Sequence, residues 1–189
     1  MIVRSLAEWD VENRKHKLTL LAPARDIEVG KAAIDAGADA VYIGAPQFGA
    51  RQAAGNSVED IAELVRYAHV FGAQVLVTLN TLLRDDEYAP ACALAHQLYK
   101  AGVDALIIQD LHLLKCDLPP IRLHASTQCD NRTAEQVLAL QAMGFRRVVL
   151  ARELSIKEIH NIHEAVVHSE AEESIELEAF VHGALCVSY

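Results

Sequence analysis

The stretch AGADAVYIG, residues 36–44, sets a glycine two residues ahead of a short apolar run, and the arrangement recurs. FGAQVLVTLN at 71–80, AGVDALIIQD at 101–110 and MGFRRVVLAR at 143–152 repeat it, each run ending on a small or polar residue. The glycine suits the left-handed residue that closes a helix, and the run reads as a strand buried on both faces. Helical stretches come first: VEDIAELVRYAHVF at 58–71 and TAEQVLALQAM at 133–143 space their apolar residues by three and four. LTLLA at 18–22, IRLHA at 121–125 and IELEAFVH at 175–182 add three strands. Asp26, Ser57, Asp85, Asn131 and Ser155 stand where helix N-caps are expected.

Strand and helix thus alternate without interruption, which predicts an α/β fold with a parallel sheet. The first strand runs into LLAPARD (20–26) and not into a glycine-rich phosphate turn. That favours a (β/α) TIM-barrel-like fold over an open doubly wound sheet. Seven strands are countable where a closed barrel has about eight. The expectation is an incomplete barrel over residues 18–189, truncated at its C-terminal end, with residues 1–17 as an N-terminal extension.

The chain is 52% hydrophobic and 23% charged, as expected of a globular protein. No apolar run approaches the roughly 20 residues of a membrane span, and the polar start MIVRSLAEWDVENRKHK lacks a secretory apolar region. Four cysteines, at 92, 116, 129 and 186, form no CxxC pair, which points to a reducing, cytoplasmic setting without a disulfide framework. A net charge of −9 argues against a general nucleic-acid coat but permits a local basic pocket.

Side chains alternate between faces along a strand, so parity sorts them. Leu76, Thr78 and Asn80 share one face, as do Ile107 and Gln109, Arg122 and His124, Val148, Leu150 and Arg152, and Glu178, Phe180 and His182. If that polar parity lines the barrel, Asn80, Gln109, His124, Arg152 and His182 converge on the catalytic rim. The adjoining loops add Asp110, Ser126, Thr127, Gln128, Asn131 and Glu153. Polar strand ends also occur simply because strands surface there.

Arg152 could clamp a carboxylate or phosphate, or pair with Glu153 or Glu178. Glu178, inside the barrel, is expected to pair with Arg122 as a structural element. His124 could act as acid, base or metal ligand, or serve as a hydrogen-bonded scaffold residue. Asn131 is most simply a helix cap. Cys186 follows the last strand in a Gly/Ala turn and suits a nucleophile, a metal ligand or packing. Cys129 is a weaker candidate near the rim, and Cys92 and Cys116 read as core filler. There is no HExxH, GxSxG or P-loop. Ser126 and His124, two apart on one extended segment, make a poor nucleophile–base pair.

Together LLAPARD, GADAVYIGAPQFGARQAAGN, VLVTLNT, GVDALIIQD, LHASTQ, RRVVLARELS and ELEAFVHGALCVSY resemble the collagenase-like peptidase family U32, in the same order from Leu18 to Tyr189. The last segment is similar to the family signature through Glu178, Phe180, Gly183, Ala184, Leu185 and Cys186, a signature that continues to a second cysteine in the family. Arg25 stands where the family usually has glycine, which either perturbs the first turn or adds charge near the mouth. The resemblance implies one of two activities: a protease, or an oxygen-independent hydroxylase acting on pyrimidine bases of rRNA or tRNA or on quinone precursors. In the hydroxylases an iron–sulfur cluster is held by cysteines of the signature, and the RNA enzymes draw on prephenate. Cys186 would then be one cluster ligand, although the 189 residues alone are expected to hold no stable cluster. His124, Arg152 and His182 would be the catalytic candidates, with Asn80, Gln109, Ser126, Gln128 and Glu153 binding substrate. A mouth with Arg152 and two histidines suits a small carboxylate or a base, and favours hydroxylation over peptide cleavage; a non-catalytic assembly barrel is the third reading.

Overall fold

The structure, a computed structural model, describes residues 18–49, 56–169 and 174–183. The proposed extension 1–17 and Cys186 lie outside the described residues. Seven strands follow in order: β1 (Leu21–Ala24), β2 (Ala40–Gly44), β3 (Gln74–Leu79), β4 (Ala105–Ile108), β5 (Arg122–Ala125), β6 (Arg147–Val149) and β7 (Glu176–Glu178). The helices are α1 (Ile27–Asp35), α2 (Val58–Val70), α3 (Tyr88–Lys100), α4 (Ala134–Ala142) and α5 (Ile156–Val167).

Four helices end in the same way. Gly37, Gly72, Gly102 and Gly144 all take positive φ, between 70° and 100°. In each case the glycine N–H bonds back to the second-last helical carbonyl, and the next residue bonds to the one before it, as in Ala38 N–H to Ala33 O and Phe145 N–H to Leu140 O. This double bond pattern satisfies carbonyls that the helix end would otherwise leave open. The residue after each glycine, Ala38, Ala73, Val103 or Phe145, is buried, which anchors the reversal into the core.

Every strand pair is parallel, and the sheet order is β1-β2-β3-β4-β5-β6-β7. A doubly wound sheet would reverse its order part-way. Unreversed order with right-handed crossovers keeps the helices on one face, so the sheet curls as a TIM-barrel-like half-barrel. Val41, Ile43, Val75, Val77, Leu106 and Ile108 face the helices and pack with Ile61, Leu64 and Leu98 in the main core. Leu76, Ala105 and Ile107, with Leu21 and Tyr42, form a smaller cluster on the inner face.

Several expectations change. The β4–β5 link carries only a 3-10 turn at Leu111–Lys115, because Pro119 and Pro120 leave too little chain for an α-helix. The first strand begins at Leu21, where the ladder to Ala40 starts, and Leu18 and Leu20 before it are exposed. Asp26, Ser57 and Ser155 cap α1, α2 and α5 as expected, the last two in capping boxes with Asp60 and Glu158. Asp85 does not cap α3: Glu87 takes the cap position, without a side-chain bond. Nor does Asn131 cap α4, since Thr133 does so in a box with Gln136.

Asn131 is instead fully buried, and its Nδ2 donates to Ser126 O and Val149 O, both at 2.8 Å. It ties the C-terminal ends of β5 and β6 together. Asn131→Ala would take this donor from the buried Val149 O and leave Ser126 O with the Cys129 N–H, at a cost of roughly 1–3 kcal/mol. Urea unfolding should show a loss of about 1–3 kcal/mol, against under about 0.5 kcal/mol for the exposed Asp85→Ala.

Candidate functional site

The register sets which polar groups share the barrel interior. One row runs Gly44, Thr78, Ile107, His124, Arg147 and Glu176 across adjacent strands, so His124 and Arg147 are direct neighbours. On β6 the inward parity is therefore Arg147 and Val149. Val148 and Leu150, expected inside, belong to the helix-facing core. The reason is physical: all three residues of β6 are buried, and each parity of the run carries both arginine and an aliphatic residue, so alternation gives no signal. Arg152 falls in a turn after the strand, beyond the reach of alternation.

Two levels of polar groups result. The lower one surrounds a cavity of about 20 Å³ near the N-terminal strand ends, lined in part by Gln74, Asp104, Arg122, His124, Arg147 and Glu176. Arg147 Nε donates to Glu176 Oε2 at 2.7 Å, and its Nη1 lies 3.6 Å from Glu178 Oε2. Glu178 thus pairs with Arg147 and not with the expected Arg122, which follows from the corrected parity. Burial pushes the Glu178 carboxyl above its ordinary pKa, and attraction to Arg147 only partly opposes it. His124 is 4% exposed, and its Nδ1 has no hydrogen-bond partner among the described residues. Burial first, then the charges of Arg147 and Arg122, lower its pKa to about 3. A neutral imidazole results.

The upper level, at the C-terminal strand ends, is held by buried polar residues. Asn56 Nδ2 donates to Arg25 O at 3.0 Å and to Gly44 O at 3.4 Å, joining the ends of β1 and β2 as Asn131 joins β5 and β6. Arg25 leaves the first turn intact and pairs with Asp26 at 2.9 Å. Asp110 accepts from Leu83 N–H, His112 N–H and the Tyr88 hydroxyl. Burial works against its charge, but these bonds outweigh it and hold its pKa below the ordinary value. Ser126 Oγ accepts the Gln128 N–H at 3.2 Å, and Thr127 Oγ1 donates to Leu150 O at 3.3 Å. Ser126 therefore acts as a turn cap.

Around this frame stand the candidate contacts. Asn80 and Gln109 are half-buried just past β3 and β4, while Gln128, Glu153 and His182 are exposed. Glu153 lies 3.8 Å from Arg132. The Arg152 guanidinium sits over the Phe180 ring, its Cζ 4.0 Å from the centroid, with Gly183 alongside. The structure thus brings Arg152 to the segment bearing His182, whereas His124 lines the lower cavity. Asn56 and Arg147 escaped the sequence reading of the site, since a loop polar and a strand-start residue have common alternative roles and no spacing marks them out. Phe180 was read as inward-facing and as part of the family signature, but not as a partner of Arg152.

The described thiols are ill suited to a cluster. Cys129 Sγ faces Gln109 O at 3.5 Å, and burial raises its pKa to about 11; Cys92 Sγ donates to Asp117 O at 2.9 Å. No group of three or more His, Cys, Asp or Glu is placed to hold a metal ion among the described residues. None of the described helices is long and apolar enough to cross a membrane.

The sequence model named Peptidase family U32 matches residues 25–189. The chain belongs to peptidase family U32. Several relatives are RNA-modifying by name. The chain is 55% identical over 174 residues to the 23S rRNA 5-hydroxycytidine C2501 synthase of Escherichia coli, covering 92% of this chain and 26% of that protein. It is 36% identical to the tRNA hydroxylation protein P1 of Bacillus subtilis, covering 92% of this chain and 40% of that protein. The chain thus spans about a quarter to two-fifths of the length of these curated relatives. Among solved structures, the U32 peptidase Mk0906 superposes with a TM-score of 0.64 at 15% identity, covering 86% of this chain and 68% of that one, which supports the fold.

The depressed His124 pKa predicts a pH dependence of stability. The unfolded imidazole, at 6.5, takes up a proton that the folded one refuses until about pH 3. Stability is therefore lost as pH falls below 6.5, by up to about 1.4 kcal/mol per unit. Between pH 7.5 and 5, urea unfolding should show the wild type losing about 2 kcal/mol more than His124→Gln. Equal losses would place the proton elsewhere.

Proposed function

We propose that this barrel serves a U32 hydroxylase acting on a pyrimidine base of ribosomal RNA, a cytidine of 23S rRNA in the first instance. The observation that carries the reading is the 55% identity to the 23S rRNA 5-hydroxycytidine synthase, spread over 92% of the chain and well above the 36% to the tRNA hydroxylation protein. The mouth is chemically apt. The amides of Asn80, Gln109 and Gln128 offer paired donors and acceptors for the edge of an unstacked base. Arg152 offers a planar fork for an oxyanion, whether an RNA phosphate or the carboxylate of a co-substrate such as prephenate. The neutral His124 and the Arg147–Glu178 pair lie below, where they hold the interior fixed.

An iron–sulfur cluster, which the family resemblance implies, would supply redox chemistry, with Cys186 as one ligand. With a net charge of −9, most phosphate contacts are assigned to other parts of the complete enzyme. We take the working compartment to be the cytoplasm, where ribosomal RNA resides.

The test is made in an Escherichia coli strain lacking its own C2501 synthase, supplied with the complete protein. Nucleoside mass spectrometry of 23S rRNA should recover 5-hydroxycytidine, and Arg152→Ala should cut it at least about tenfold at equal protein abundance. A preparation that restores no hydroxycytidine but cleaves gelatin would favour the peptidase reading.

A further inference from the structure

The lower cavity, below the mouth, is too small for a substrate but not for a solvent molecule. Its volume of about 20 Å³ exceeds the roughly 10–15 Å³ that one water needs. Its lining mixes charges of both signs, with Arg122, Arg146 and Arg147 beside Asp104 and Glu176. A lone anion there would meet the carboxylates, and a metal cation would meet the guanidinium groups. A neutral molecule that both donates and accepts hydrogen bonds meets neither penalty.

His124, which also lines the cavity, has a bond to fill. It is 4% exposed, and its Nδ1 has no hydrogen-bond partner among the described residues. Its neighbours are committed elsewhere. Arg147 Nε and Nη2 both donate to Glu176 Oε2. Asp104 Oδ2 accepts from Val75 N–H at 2.8 Å and lies 3.0 Å from His69 Nε2. An imidazole kept neutral by burial and by two arginines has one N–H to give and one lone pair to offer. Leaving such a buried group unbonded is costly. The position in the sheet adds a reason. The β5–β6 ladder pairs only two residues, His124 with Arg147 and Ala125 with Val148, against three to five in every other ladder. Asn131 reinforces this seam at its upper end, and His124 stands at the lower.

We propose that the lower cavity is a hydration site, in which one water molecule bonds to His124 and to the Arg147–Glu176 pair and links β5 to β6 and β7. The water can accept from a guanidinium N–H and donate to a carboxylate or a ring nitrogen, so one molecule serves both partners. The site is independent of the reaction performed at the mouth.

The experiment is a crystal structure of the complete protein, at a resolution that shows ordered water, from crystals grown without halide and then soaked in sodium bromide. The map should show one peak about 2.6–3.2 Å from a His124 ring nitrogen and within the same range of Arg147 or Glu176. No bromide anomalous signal should coincide with it. His124→Phe keeps a flat ring without nitrogens and should lose the peak. The proposal is overturned by a wild-type map without that peak, by a bromide signal in the cavity, by a peak bonded to neither Arg147 nor Glu176, or by a peak that persists unchanged in His124→Phe. If His124→Phe does not fold, the wild-type maps decide: the peak with both contacts and no bromide supports the site, and any other result overturns it.

Discussion

The helix-to-strand reversal at a left-handed glycine is the constraint on which the rest of this barrel depends. At Gly37, Gly72, Gly102 and Gly144 the chain turns from helix to strand within three or four residues while keeping the last helical carbonyls bonded. A side chain other than glycine at that φ is strained, and the returning N–H groups keep the last helical carbonyls bonded as the chain reverses. The buried residue after each glycine then sets where the next strand enters the sheet. Repetition of one turn yields sequential parallel pairing, and sequential pairing brings all the C-terminal strand ends to one mouth.

That mouth is rigid for a second reason. Asn56 and Asn131 each spend a side-chain amide on two carbonyls from neighbouring strand ends, and Asp110 gathers two backbone N–H groups and a hydroxyl. Buried groups bonded in this way hold their positions, because breaking any one strands its partners away from water. Below them the buried Arg147 binds the exposed Glu176 and the largely buried Glu178, so that neither of the two buried charges stands alone in the interior. The mouth can thus present Arg152 and the amides on a frame that does not rearrange. That suits a family whose relatives carry both peptidase and hydroxylase names, since chemistry on such barrels is set by what the loops add.

Much of the fold was legible from local signals. The repeated glycine, the three- and four-residue helical spacing, and the caps Asp26, Ser57 and Ser155 each report on a few neighbouring residues, and each is physically sufficient where it stands. The failures were at positions where one residue type has two good uses. Asn131 can cap a helix or bridge two carbonyls, and only the approach of β6 decides which. RRVVLAR mixes arginine and aliphatic residues on both parities, so alternation gave no handle on whether Arg147 or Val148 points inward. Arg152 reached the mouth although the parity argument behind it was wrong, since it stands past the strand in a turn.

By itself the sequence determined the elements, their parallel order and the family, because those depend on backbone preference, apolar periodicity and short motifs that neighbours along the chain supply. The tertiary structure alone decided that His124 shares a cavity with Arg147 while Arg152 lies on Phe180. Those contacts join residues more than 20 positions apart, and their partners are selected by strand register and packing, quantities that no local stretch of chain encodes.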